Sequence, residues 1–186
     1  MSNIVRARVT VRGTRPLLQH AFGPESIALE KGEKTGVAGN DPEELNKVVA
    51  NIVSVLSDNI VVTNVKDSGN FYKTGLSSLF ESPEFREFDR VFNVANVFDH
   101  FEKVFNEIES EFLGVDRSEI SVYIGSENPI KNIKEEAVIL VKYPLPNRKK
   151  GSMTIIGPMR MDYQKNIGLA KCIVDELKFK SKNYDG

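Results

Sequence analysis

Tryptophan is absent from this 186-residue chain, cysteine occurs once, at Cys172, and histidine twice, at His20 and His100. One cysteine excludes an intramolecular disulfide and fits a reducing compartment. Two histidines in separate segments, without companions at ligand spacing, give no metal site, and no cofactor is expected. A lone cysteine beside Ile173 and Val174 reads as a small core residue. Neither sign of charge dominates: 25 Lys and Arg face 26 Asp and Glu, a formal net charge of −1. That balance provides no global field for nucleic acid or membrane, so such contacts would need a local patch. No apolar run approaches the roughly 20 residues of a membrane span. The start, "MSNIVRARVTVRG", interrupts its apolar residues with arginines and is no signal peptide. The expected location is the cytoplasm. Phosphate-cradling glycine loops, dinucleotide fingerprints and nucleophile elbows are missing too, which makes an enzyme the weaker reading.

Phenylalanine, with 11 copies, and alternating apolar stretches are what the chain does have. In "IVRARVTVR" (4–12) the valines point one way, while Arg6, Arg8 and Arg12 point the other, as on a half-buried strand with a basic face. Those arginines are candidates for weak, sequence-blind nucleic-acid contact. Glycines and prolines crowd residues 13–40, which read as linker, so 1–40 form an N-terminal strand arm and 41–180 the main domain.

Asp41, Pro42 and Glu44 open a helix as cap, first position and capping-box residue, and Leu45, Val48, Val49, Ile52, Val53 and Leu56 follow at helical spacing. "NIVVTNVK" (59–66) and "FYKTG" read as a hairpin across "KDSGN". Residues 83–112 read as one long helix, capped by Ser82 and begun by Pro83, with a stripe of Phe85, Phe88, Val91, Phe92, Ala95, Phe98, Phe101, Val104, Phe105, Ile108 and Phe112. The spacing indicates core packing, with apolar surplus for a dimer interface. Strands at 119–125, 137–145 and 152–157 and a helix from Asp162 to Lys178 complete the pattern. Elements mixed without a βαβ rhythm indicate an α+β fold, an antiparallel sheet covered by helices.

"TIIGPMRMDYQKNIGLA" (154–170) packs a strand, a rigid corner, an arginine, a carboxylate and a helix start into a few residues. Gly157 permits close approach, Pro158 stiffens the corner, and Asp162 is placed to cap the helix. Arg160 offers a donor fork for a carboxylate, with Glu127 of "GSEN" the expected partner. Both a structural lock and an anion or ligand site remain open for the stretch.

Three segments in order carry a family likeness: "FYKTGLSSLFESPEF" (71–85), "YIGSENP" (123–129) and "IIGPMRMDYQKNI" (155–167). The chain, over roughly residues 46–178, resembles the heat-inducible transcription repressor HrcA. The resemblance implies a GAF-like regulatory domain, dimeric, non-enzymatic and responsive to a GroEL-type chaperonin. It points to Glu127, Asn128, Gly157, Pro158, Arg160, Asp162 and Tyr163 as regulatory or fold-locking candidates. Family members bind an inverted-repeat operator through a winged helix, and residues 1–45 do not match one. Only a turn separates "VVTNVK" from "FYKTG", where a dimerising insertion is expected. The expectation is therefore a trimmed regulatory domain behind an unrelated arm, with operator DNA a partner only if a winged helix is supplied elsewhere. Two rivals stand beside it: a small-molecule-sensing GAF-like domain, and a nucleic-acid binder acting through the arginine strand.

Overall fold

The computed structural model describes residues 41–77, 81, 83–106 and 119–184. The expected arm, with Arg6, Arg8 and Arg12, the Ser82 cap and the 107–118 end of the Phe-rich stretch lie outside them. Five strands form one antiparallel sheet: β1 (Ile60–Val65), β2 (Phe71–Thr74), β3 (Ile120–Ile124), β4 (Glu136–Pro144) and β5 (Lys150–Pro158), in the order β2-β1-β5-β4-β3. Among the described residues it is accompanied by the helices α1 (Pro42–Ser57), α2 (Phe88–Asp99) and α3 (Tyr163–Tyr184).

The central strands are buried on both faces, which is why they read as continuous apolar runs. Alternation sends Val61, Val65, Ile139, Val141, Met153 and Ile155 to one side, against Leu45, Val49 and Val53 of α1 and Leu169, Ile173, Val174 and Leu177 of α3. Ile60, Val62, Val138, Leu140 and Ile156 pack on the other side against Phe85, Val94, Val97, Phe101, Phe105, Ile130 and Ile133. A one-residue slip in any central strand would exchange the two sets.

Local chemistry fixes the joints. Asp41 accepts the amide of Glu43 at 3.0 Å to cap α1, with Pro42 at its first position. The β1–β2 hairpin pairs Val62 with Lys73 and Asn64 with Phe71. Asn147 and Arg148 both adopt positive φ in the tight β4–β5 turn, with φ 59° and 56°. α3 runs past the expected Lys178 to Tyr184, because no glycine or proline intervenes to stop it.

The single helix expected over 83–112 is not what forms. Pro83–Phe85 make a 3-10 turn, α2 begins only at Phe88, and it ends at His100, after which residues 101–106 are helical again. The break lets Phe85, Phe101 and Phe105 all reach the sheet. The buried face of α2 is Val94 and Val97, whereas Phe88 and Phe92 of the expected stripe are 78% and 57% exposed. Phenylalanine every three or four residues fits both a straight helix and two helices joined by a bend, so periodicity alone could not detect it.

Candidate functional site

β5 lies at the centre of the sheet, and its last residues deliver the chain into α3. Gly157 pairs with Ala137 of β4 and lies beside Asn59, just before β1. A Cβ at Gly157 would overlap Asn59 Oδ1 and sit 2.8 Å from Asn59 Cγ, so only glycine leaves room for that buried side chain. Asn59 is held from both ends: its Nδ2 donates to the Ser57 carbonyl at 2.7 Å, and its carbonyl accepts from Ser54 Oγ at 3.0 Å. Gly75, at φ 86°, closes the other side, where a Cβ would overlap Asn59 O and Ser54 Oγ.

After Pro158 the chain turns tightly, with the Met161 amide donating to the Pro158 carbonyl at 2.9 Å. Asp162 Oδ1 accepts the Lys165 amide at 2.9 Å, satisfying a free N–H of α3's first turn and countering its dipole. Tyr163 donates its hydroxyl to the Met159 carbonyl at 2.6 Å, and desolvation raises its pKa. Arg160 sits at the turn's tip, exposed.

The expected Arg160–Glu127 pair is not formed. Among the described residues no ion pair joins them, and both side chains are exposed. Two long surface side chains gain little from pairing in water, which leaves nothing to hold them together. Asn128 is fully buried: Oδ1 accepts the Ile130 amide at 3.0 Å, and Nδ2 donates to the Ile133 carbonyl at 3.1 Å. It braces the loop into β4. Lys134, rather than Arg160, serves the "GSEN" turn, donating to the carbonyls of Ser126 and Asn128.

A second polar feature has no counterpart in the sequence pattern. Glu136, at the start of β4, has a side chain only 3% exposed, and Arg90 of α2 meets it at 3.4 Å. Arg90 also contacts Glu135 Oε2 at 3.2 Å, and its guanidinium lies 5.4 Å from the Phe85 ring centroid. Burial raises the Glu136 carboxyl above the ordinary carboxylate value, and Arg90 offsets part of that rise. Partners 46 residues apart leave no local pattern to find.

A cavity of about 320 Å³ opens beside the corner, between the end of α1, Ile60 and the start of α3. Gly157, Pro158 and Asp162 line it, with Ser57, Asp58, Asn59, Phe85, Met161, Lys165 and Asn166. Glu127 and Arg160 are not among its walls. Among the described residues no group of three or more His, Cys, Asp or Glu side chains is placed to hold a metal ion. No helix among them is long and apolar enough to cross a membrane.

Sheet order, helices on both faces and the braced β5–α3 corner define a GAF-like α+β domain. The "HrcA protein C terminal domain" family matches residues 26–167, and the chain belongs to that family. It is similar to heat-inducible transcription repressors HrcA from Clostridium tetani, at 32% identity over 60% of this chain and 30% of that protein, and from Moorella thermoacetica, at 27% over 68% and 36%. The Acholeplasma laidlawii repressor is 29% identical over 72% of this chain and 37% of its own length. The chain thus spans about a third of the length of these curated relatives. A crystal structure of a hypothetical protein shares the fold, with a TM-score of 0.61 at 15% identity, over 80% of this chain and 73% of that one.

Proposed function

We propose that the chain is the regulatory domain of a heat-inducible repressor of chaperone genes, cytoplasmic and without catalysis of its own. The family match across residues 26–167 carries this reading, because the matched relatives are named as heat-inducible transcription repressors. Residues 41–180 form the regulatory domain and residues 1–40 an arm and linker. The domain works as a homodimer and responds to a GroEL-type chaperonin. Exposed Phe88 and Phe92, stacked with centroids 6.1 Å apart, support self-association, since apolar rings left in water favour a covering surface. Asn128, Gly157, Pro158, Asp162 and Tyr163 hold the domain's shape at these turns, and the exposed Glu127 and Arg160 are left as regulatory candidates.

Reading of an operator requires side chains delivered to base edges, normally by a helix or ribbon in the major groove. Residues 1–45 do not match a winged helix, so this reading assigns operator contact to a winged helix supplied elsewhere. Arg6, Arg8 and Arg12 add at most salt-sensitive phosphate contacts. Titration of the inverted-repeat operator against a scrambled duplex at physiological salt tests this. Less than a tenfold preference is expected, a difference of about 1.4 kcal/mol. A larger preference would show that the chain reads sequence itself.

A further inference from the structure

Among the described residues the sheet ends in two edge strands, β2 and β3. Natural sheets blunt such edges with charge, proline, a bulge or a covering element. β2 is only four residues long, and its Lys73 reaches Glu102 at 3.2 Å and the Asp99 carbonyl at 3.2 Å. β3, with the sequence ISVYI, has no such device. It carries neither charge nor proline, and its register with β4 runs from Ile120–Val141 to Ile124–Ala137 without a bulge. Glu119, the charge that precedes it, is paired with Lys178 of α3.

The ladder decides which backbone groups face outward. The Lys142 amide donates to the Glu119 carbonyl at 2.8 Å, which makes these two a hydrogen-bonded pair. Such pairs alternate along an antiparallel ladder, so Ser121 and Tyr123 also turn their backbone towards β4. Ile120, Val122 and Ile124 turn their N–H and C=O groups the other way. Their side chains share the sheet face that holds Val141, Ile139 and Ala137. Ile120 and Val122 are half-buried there, and Ile124 is 42% exposed.

A second β3 answers both features. A two-fold axis beside Val122 sets that residue against its own copy, and Ile120 against Ile124 of the second copy. Every outward backbone group then meets another, and every apolar side chain on that face meets an apolar one. No charged residue enters the pairing to oppose it. We infer that β3 pairs edge to edge with β3 of a second copy, joining two sheets through a two-fold axis at Val122. Five paired residues fall short of the roughly 1,200 Å² that stable interfaces bury, so the contact is weak and forms at high concentration. It lies apart from Phe88 and Phe92 of α2 and does not rest on the dimer proposed there. A chain using both contacts assembles beyond a dimer.

Sedimentation velocity and amide hydrogen exchange of the full chain over a range of concentrations test this. Association beyond the α2 contact should grow with concentration, and protection of the Ile120, Val122 and Ile124 amides should rise with it. Should α2 make no contact, a weak dimer indifferent to Phe88 and Phe92 remains, so the two proposals fail separately. Val122→Pro removes the central outward donor and spares the β4 ladder, since proline is tolerated on a strand's solvent edge. It should weaken the association at least tenfold. Val122→Lys should do the same, and mixing it with Val122→Glu should restore association, because residue 122 faces itself across the axis. Amide protection independent of concentration would put a segment of the same chain on the edge and overturn the inference. So would association unmoved by Val122→Pro. Should that variant not fold, the Val122→Lys and Val122→Glu variants decide alone, and a mixture that associates no better than either overturns it.

Discussion

Gly157 of β5 and Asn59 of the α1–β1 junction occupy neighbouring space so closely that a Cβ on one would overlap Oδ1 of the other. Gly157→Ala should therefore cost about 2 kcal/mol, as overpacking in a buried site typically does. Asn59→Ala should also destabilise, through loss of the 2.7 Å bond to the Ser57 carbonyl. Because the second change removes the atoms that the first collides with, the double variant should be less damaged than the two losses added. Denaturant midpoints should give a coupling above roughly 0.5 kcal/mol; additivity would mean that Asn59 moves aside freely.

Arg90 and Glu136 tie α2 to β4, and the pair sets a pH dependence. Burial raises the folded-state pKa of Glu136, so the folded chain holds that proton more tightly than the unfolded chain. The contribution is full below the ordinary carboxylate pKa, about 4.3. It declines as pH rises towards the raised folded value, because the unfolded chain binds fewer protons there. Glu136→Gln should flatten that decline in a pH series of thermal melts. Arg90→Met should cost about 3 kcal/mol at neutral pH, by leaving a buried carboxylate without its partner. The loss should shrink in acid; a loss independent of pH would mean that packing rather than charge is responsible.

Asp162 and Arg160, two residues apart, should behave oppositely. Asp162→Ala should lower stability by about 1 kcal/mol through loss of the α3 cap. Arg160→Ala and Glu127→Ala should each stay within about 0.5 kcal/mol of the parent, as exposed substitutions do. Their double variant should be additive within roughly 0.5 kcal/mol. Measurable coupling between them would show an ion pair forming in solution.

The contrast shows what the sequence could and could not disclose. Asp41 and Asp162 were legible as caps because capping is a local pattern of side chain and following amide. The strands were legible because burial on both faces demands unbroken apolar runs such as Ala137–Val141. The bend at His100 was not, since the phenylalanines keep their spacing through it. Nor was the cavity: Ser57 ends one helix and Asn166 lies in the first turns of another, and only the fold brings them to one chamber. The Arg160–Glu127 pairing rested on matching chemistry alone, without a reason for two exposed side chains to meet.

Self-association should depend on the exposed aromatic pair of α2. Replacing Phe88 and Phe92 together by serine should weaken the dimer at least tenfold by sedimentation equilibrium. Folding should change little, since 78% and 57% of these residues is already in solvent. A dimer of undiminished affinity would place the interface elsewhere.

The regulatory claim is tested most directly by fusing the full chain to a monomeric DNA-binding domain that represses a reporter only when dimerised. Repression is expected from the fusion and not from the DNA-binding domain alone. It should be relieved after a heat shift and recovered when a GroEL-type chaperonin is overproduced. Repression no greater than that of the unfused domain, or repression indifferent to both heat and chaperonin, would contradict the account.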